Sequence, residues 1–188
     1  LIIFLIKDKP GKFGKKFEFK LLGKRYRRFL LASVIFSLGY FSYSFLILYA
    51  KSFGFDKSFL PIFYLIFTLT ASVFSLPFGR LSDRIGRKKV VTVSYLLWVF
   101  VLLIAFVFKN LFVPFVVFFL YGLQKAAMEP SQRAFVSELS PEKFRATGIG
   151  TFQMSIGLCA LPASLTMGYI WNVYGMNVAF QFPIITTV

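Results

Sequence analysis

The chain has 188 residues, of which 57% are hydrophobic and 15% are charged, and its formal net charge is +15. Ordinary domains are about half apolar and about a quarter charged, so a soluble domain of this size could not cover this much apolar surface. The 22 Lys and Arg residues lie in clusters between apolar runs, whereas a nucleic-acid groove mixes basic residues with exposed aromatic ones. Composition therefore favours a membrane protein and argues against nucleic acid as a partner.

Several classes of chemistry are also disfavoured. The chain has one cysteine, Cys159, and no histidine, so an intrachain disulfide, an imidazole relay and the commonest metal ligand are all missing. The sequence shows no Asp pair, no nucleophile with a base and no Gly-rich phosphate loop, which an enzyme site would require. It also shows no filter loop and no ring of charge, which a channel would require. We therefore expect no enzyme, no catalytic residues, no metal and no cofactor.

Continuous apolar runs of about 20 residues indicate membrane-spanning helices rather than alternating barrel strands. The apolar residues 1–6 are expected to end a preceding transmembrane helix, and residues 7–28 to form a basic cytoplasmic linker. The third predicted span is apolar on nearly all sides and is expected to face lipid. The predicted spans cover residues 29–50, 60–79, 90–108, 111–137, 142–170 and 177–188, the last one truncated. The fold class is an all-α membrane protein.

The joining segments alternate in charge. Segments 7–28, 80–89 and 133–145 carry ten, five and three Lys or Arg residues, whereas segment 171–177 carries none. Cytoplasmic loops of membrane proteins are the ones rich in Lys and Arg. The sequence therefore predicts a multi-pass protein of the cell membrane whose basic segments all face the cytoplasm.

The fourth predicted span carries polar residues every four positions, so that they form one column on a helix face. They are Tyr121, Lys125, Glu129 and Arg133. Ionisable groups within a membrane usually face a cavity or a partner, which favours a polar stripe along a transport path. The alternative is a structural ladder of ion pairs in which Lys125 extends to the membrane interface.

A charged segment punctuated by glycine joins the second and third predicted spans. It reads Gly79-Arg80-Leu81-Ser82-Asp83-Arg84-Ile85-Gly86-Arg87-Lys88-Lys89. This segment resembles the signature loop of the major facilitator superfamily of secondary transporters, Gly-x-Leu-x-Asp-Arg-x-Gly-Arg-Arg/Lys, at every position. A second stretch, from Glu129-Pro130 to Gly148, resembles the connection between the fourth and fifth helices of a half in that family.

The resemblance implies a six-helix half of a twelve-helix transporter fold. The long basic segment 7–28 is similar to the linker between the two halves, so the chain is interpreted as the carboxy-terminal half with its last helix truncated. The alternative is an amino-terminal half, in which residues 1–28 would be a cytoplasmic leader.

The family pattern also implies roles for individual residues. Asp83 is expected to meet the start of the helix near Glu142–Gly148, with Arg145 nearby, and to hold the cytoplasmic side shut. A Cβ at position 79 is expected to hinder the approach of another helix. The residues assigned to this gate are Gly79, Asp83, Arg84, Gly86, Arg87 and Arg145. The residues assigned to the substrate path are Tyr40, Tyr43, Ser44, Tyr121, Lys125, Glu129 and Gln153.

The predicted function is secondary transport of a small organic solute by rocker-switch alternating access. The expected partners are membrane lipids, the solute with a coupling proton or ion, and the amino-terminal six-helix half of the same protein. A non-transporting sensor or scaffold is the alternative, and a channel subunit is less favoured. Neither the identity of the solute nor the direction of transport follows from the sequence.

Overall fold

A computed structural model describes residues 22–187, with the side chains at 57, 177 and 185–187 excepted. The described residues form helices and no strands, which confirms the all-α prediction. The proposed preceding helix at 1–6 and linker residues 7–21 lie outside the described residues. The helices are α1 Lys24–Leu38, α2 Tyr43–Lys51, α3 Leu60–Ile85, α4 Arg87–Val107, α5 Val113–Leu139, α6 Arg145–Tyr174 and α7 Met176–Thr187.

Helix α5 is the centre of the bundle. It packs against both α3 and α4, and 13 of its 27 residues are buried, compared with 3 of 26 in α3 and 4 of 30 in α6. Among the described residues, four helical segments are long and apolar enough to cross a membrane: Lys24–Lys51, Leu60–Ile85, Arg87–Val107 and Glu142–Tyr174. Helix α5 is equally long but more polar, and its protein neighbours cover much of it.

The first span is not one continuous helix, as the sequence had suggested for residues 29–50. Helix α1 begins at Lys24 and ends at Leu38, and the chain is non-helical from Gly39 to Ser42 before α2 begins. The Ser42 hydroxyl accepts a hydrogen bond from the backbone N–H of Ser44 at 3.3 Å, which caps the new helix start. Residues 24–28, which the sequence assigned to the linker, are helical and form the first turns of α1.

The signature segment is almost entirely helical instead of forming a loop. Helix α3 continues through Ile85, and α4 begins at Arg87, so Gly86 is the single residue between them. Its φ of 99° lies in the left-handed region, where residues with a Cβ are strained. Gly86 therefore permits the reversal between two long helices.

The third span, which forms α4, does not expose its whole surface. One face of α4 is buried, including Trp98, Val101 and Leu102 at 0% exposure, and this face packs against α5. The opposite face exposes Val93, Leu96 and Phe100 by 51% to 63%. The expectation of general lipid exposure is therefore wrong for the buried face.

Helices α3 and α6 present long apolar faces outward. On α6, Met154, Leu158, Leu161 and Leu165 are exposed by 65% to 67%, and their spacing places them along one side of the helix. Such a surface would be unusual on a soluble monomer. It is compatible with lipid or another membrane helix as the surrounding medium.

The described parts of the basic segments lie at one end of the bundle. The Tyr26 hydroxyl donates to the Gly148 carbonyl at 2.7 Å, which joins the starts of α1 and α6. Arg87 bonds to the carbonyl of Ala134 at 2.9 Å, which joins the start of α4 to the end of α5. The alternation of charge along the sequence thus corresponds to a basic end of the folded bundle.

Candidate functional site

The break between α1 and α2 brings Tyr40 against α5. The Tyr40 hydroxyl donates to Gln124 Oε1 at 3.1 Å and lies 3.3 Å from the Tyr121 hydroxyl. Gln124 is fully buried, and its Nε2 lies 3.3 Å from the sulfur of Met128. This network fixes the ring of Tyr40 at the centre of the bundle, where its centroid lies 4.8 Å from that of Trp98.

Lys125 lies over the face of the Tyr40 ring. Its Nζ is 5.2 Å from the ring centroid and 3.2 Å from Glu129 Oε1. The side chain of Lys125 is 22% exposed and that of Glu129 is 51% exposed, so the carboxylate is the more accessible partner. A cation over an aromatic face and beside a carboxylate is held by both contacts.

These groups line a cavity of about 130 Å³ between α1, α5 and α6. Its polar lining includes Ser37, Tyr40, Lys125, Glu129, Arg133 and Gln153. Three of the four residues of the predicted column, together with Gln153 from α6, therefore meet at one place. Of the alternative ladder of ion pairs, the described residues form the pair of Lys125 with Glu129 and no pair of Glu129 with Arg133. The role of the column along a transport path stays a prediction.

A second polar cluster joins the cavity lining to α4. The Tyr95 hydroxyl lies 3.1 Å from Ser33 Oγ, and it accepts a hydrogen bond from Gln132 Nε2 at 3.0 Å. Ser33 and Gln132 both line the cavity. Sequence reasoning missed all three residues, although the spacing of Ser33 and Ser37 by one helical turn was a usable signal.

Three residues of the predicted substrate path do not line the cavity. The ring of Tyr43 lies 5.5 Å from that of Tyr64, and Ser44 is exposed beside its helix cap. Tyr121 is buried behind Tyr40 and contributes to the network only as its hydrogen-bonding neighbour. The break in the first span explains the positions of Tyr43 and Ser44, because α2 starts a new helix after Ser42 and places both residues outside the cavity lining.

The charged signature residues meet different partners from those expected. Asp83 Oδ1 lies 3.2 Å from Arg87 Nη2, and the other terminal nitrogen of Arg87 lies 3.0 Å from Glu138 Oε1. Arg145 pairs instead with Glu142 at 3.6 Å, within its own turn. The expected contact of Asp83 with Arg145 is therefore not formed, because each residue has a nearer partner of opposite charge.

Two further residues assigned to the gate, Arg84 and Gly79, also lack, among the described residues, the contacts that were expected for them. Arg84 is exposed and forms no ion pair with any residue in 22–187. Gly79 lies inside α3, and an added Cβ there would meet no described atom within 4 Å. Gly79 therefore faces no close helix approach within the described chain, and its role against a helix outside it stays a prediction.

Gly122 provides the close approach that was assigned to Gly79. A Cβ added to Gly122 on α5 would lie 2.7 Å from the Cβ of Thr70 and 2.8 Å from the carbonyl oxygen of Phe67, both on α3. These distances are shorter than carbon atoms tolerate, so this crossing requires glycine. The contact supports the face of α5 that carries Tyr121.

Comparison with known proteins agrees with the resemblance in the signature segment. The family model of the Major Facilitator Superfamily matches residues 29–188. A protein of Methanocaldococcus jannaschii, described as an uncharacterized MFS-type transporter, is 39% identical over 181 residues, which cover 91% of this chain and 46% of that protein. A protein of Bacillus subtilis with the same description is 34% identical over 119 residues, which cover 55% of this chain and 29% of that protein.

No solved structure matches the chain. The chain spans about half the length of the archaeal relative. Since the family model covers all of the sequence that follows residue 28, the chain belongs to the Major Facilitator Superfamily.

Proposed function

We propose that the complete protein is a secondary transporter that moves a small organic solute by rocker-switch alternating access. In this proposal the chain is the carboxy-terminal half, and the cavity beside Tyr40 forms part of the solute path. The observation that carries the proposal is the polar cavity at the break of the first span. Family membership supports the same function.

The physical argument begins with the backbone of Gly39–Ser42. Non-helical backbone at membrane depth is stable only where protein or a water-filled cavity satisfies its polar groups. Discontinuous helices of this kind occur around the substrate sites of secondary transporters. The ion pair of Lys125 and Glu129 strengthens the case, because ionisable groups in a membrane helix face a cavity or each other.

The gate is proposed at the basic end of the bundle, around the cluster of Asp83, Arg87 and Glu138. Arg87 joins the carboxylates of two helices, so its contacts favour one arrangement of the ends of α3, α4 and α5. Asp83 is 65% exposed, which leaves it accessible to a cation or helix start outside the described residues. Arg145, held by one exposed pair at 3.6 Å, is free to exchange partners during rocking.

The proposal includes a membrane setting. The basic end faces the cytoplasm of a cell-membrane protein, and the amino-terminal half covers the outward apolar faces that lipid does not. No cofactor is invoked, and the protein performs no covalent chemistry. A coupling proton or ion would enter through Glu129 or through the other half.

The test is flux through the full-length protein in proteoliposomes with a panel of labelled organic solutes. Saturable uptake and accelerated counterflow are expected, and Lys125→Gln should reduce both. Asp83→Asn tests the gate, and full-rate transport by that variant would contradict its assignment. Solute binding without flux would identify a sensor, and flux without counterflow would identify a channel. Either result would overturn the proposal.

A further inference from the structure

We infer that the cavity between α1, α5 and α6 takes a small organic anion that carries a single aromatic ring. This inference rests on the proposed transport function and specifies the solute class for the same site. Three properties of the cavity support it: its net charge, its apolar lining and its size.

The charge of the cavity is not balanced by its own residues. Three charged side chains line it: Lys125, Glu129 and Arg133. Lys125 and Glu129 neutralise each other at 3.2 Å, whereas Arg133 forms no ion pair among residues 22–187. The lining therefore carries one uncompensated positive charge.

Arg133 is exposed, so its guanidinium is accessible to a solute, and an anionic solute would neutralise a charge that is costly to bury within a membrane protein. A guanidinium is the best protein group for a carboxylate, because its planar donors match the two oxygens. Gln153, which also lines the cavity, adds an amide near the same region. The most favourable occupant in electrostatic terms is thus a monoanion bound at Arg133.

The position for a cation is already occupied. The Lys125 ammonium lies over the Tyr40 ring at 5.2 Å and beside Glu129. A cationic solute would have to displace an ammonium that belongs to the same helix as its carboxylate. An anion requires no such displacement, which is why the geometry favours negative charge on the solute.

The uncharged part of the lining is suited to an aromatic ring because much of it is apolar. Phe36, Met128 and Ile156 supply apolar surface from three different helices. The volume of about 130 Å³ is close to that of cavities of about 150 Å³ that hold benzene. A molecule with one aromatic ring and one carboxylate therefore fits both the charge and the size.

The experiment measures binding of three matched probes to the purified full-length protein, from the dependence of its melting temperature on ligand concentration. The probes are benzoate, its neutral isostere benzamide, and the cation benzylamine. Benzoate is expected to raise the melting temperature most. Arg133→Gln should weaken the benzoate Kd by at least about tenfold, as expected for a lost charge-assisted hydrogen bond.

Two further variants distinguish an electrostatic effect on benzoate binding from a general loss of folded protein. Glu129→Gln raises the net charge of the cavity to +2, so it should tighten benzoate binding by about twofold to fivefold. Arg28→Gln makes the same chemical change as Arg133→Gln on an exposed arginine outside the cavity lining, and it should leave the Kd unchanged. Opposite shifts from the two cavity variants cannot arise from unfolding alone.

The inference is overturned if benzamide or benzylamine binds as well as benzoate, if benzoate does not bind, or if Arg133→Gln binds benzoate like the unmodified protein. Failure of this inference is distinguishable from failure of the proposed function. Saturable flux and counterflow of a neutral or cationic solute would leave transport standing and would remove only the anionic class.

Discussion

Gly122 faces α3 at a point where no side chain fits. An added Cβ would lie 2.7 Å from Thr70 Cβ and 2.8 Å from the Phe67 carbonyl oxygen. We therefore expect Gly122→Ala to lower the free energy of unfolding by about 1–2 kcal/mol, because overpacking exceeds the gain in helix propensity. Denaturant titration of the purified full-length protein measures this change.

Gly157→Ala is the matched control. An added Cβ at Gly157, inside α6, meets no described atom within 4 Å, so its effect should be neutral or stabilising by up to about 1 kcal/mol. Equal losses from the two variants would show that the α3–α5 crossing does not depend on Gly122.

Tyr40 supplies a second prediction for a single residue. Tyr40→Phe keeps the ring but leaves the buried Gln124 Oε1 without its donor at 3.1 Å. The expected cost is about 1–3 kcal/mol of stability, with reduced solute flux in proteoliposomes. Tyr43→Phe is the control, because Tyr43 is 39% exposed and should tolerate loss of its hydroxyl within about 0.5 kcal/mol. A full-rate, fully stable Tyr40→Phe protein would argue against the network.

At the residue scale, the sequence predicted which side chains are polar partners on one helix better than it predicted which residues touch a different helix. The column spacing placed Lys125 and Glu129 on one face, and the structure pairs them. The sequence could not show that Gly122 rather than Gly79 lies at a close contact between helices, because such a contact depends on the rotation of both helices about their axes. The same limit applies to Tyr95, whose polar partners come from two other helices.

At the scale of elements, Arg87 is the principal link between three helices. Its terminal nitrogens lie 3.2 Å from Asp83 and 3.0 Å from Glu138, and it also bonds to the Ala134 carbonyl at 2.9 Å. Arg87→Ala should cost about 1–2 kcal/mol of unfolding free energy, since it leaves two carboxylates and a carbonyl without this donor. Arg87→Lys should recover part of this loss, because a point charge cannot make all three contacts.

Arg84→Ala provides the comparison for Arg87, because Arg84 is an exposed cation in the same segment and has no ion pair among residues 22–187. Its replacement should change stability by less than about 0.5 kcal/mol. If both alanine variants behave alike in denaturant titration, the linking role of Arg87 is wrong.

The helices themselves followed from the apolar runs, but their interruptions did not. Membrane helices often contain glycine without breaking, so Gly39 alone gave no reason to divide the first span. The signature segment was predicted as a loop because of its charge, although charged residues prolong a helix readily when it extends beyond the membrane. Only Gly86, with its positive φ, ends α3. Such boundaries depend on tertiary contacts rather than on composition.

At the scale of the whole molecule, charge and fold together predict the orientation in the membrane. The segments around Arg84 and Arg145 both lie at the basic end, and Lys and Arg favour the cytoplasmic side. The segment around Asp56 joins α2 to α3 at the opposite end. Each end should therefore be accessible from only one side of the membrane.

Cysteine labelling measures this orientation directly. In a cysteine-free full-length protein, a membrane-impermeant maleimide should label Asp56→Cys in intact cells, because residue 56 is exposed at the end of the bundle opposite the basic segments. It should label Arg84→Cys only after permeabilisation, although residue 84 is also exposed in the fold. Comparison of the two variants controls for expression and for intrinsic reactivity. Labelling of Arg84→Cys in intact cells would reverse the orientation, and the proposed gate would then lie on the outer side.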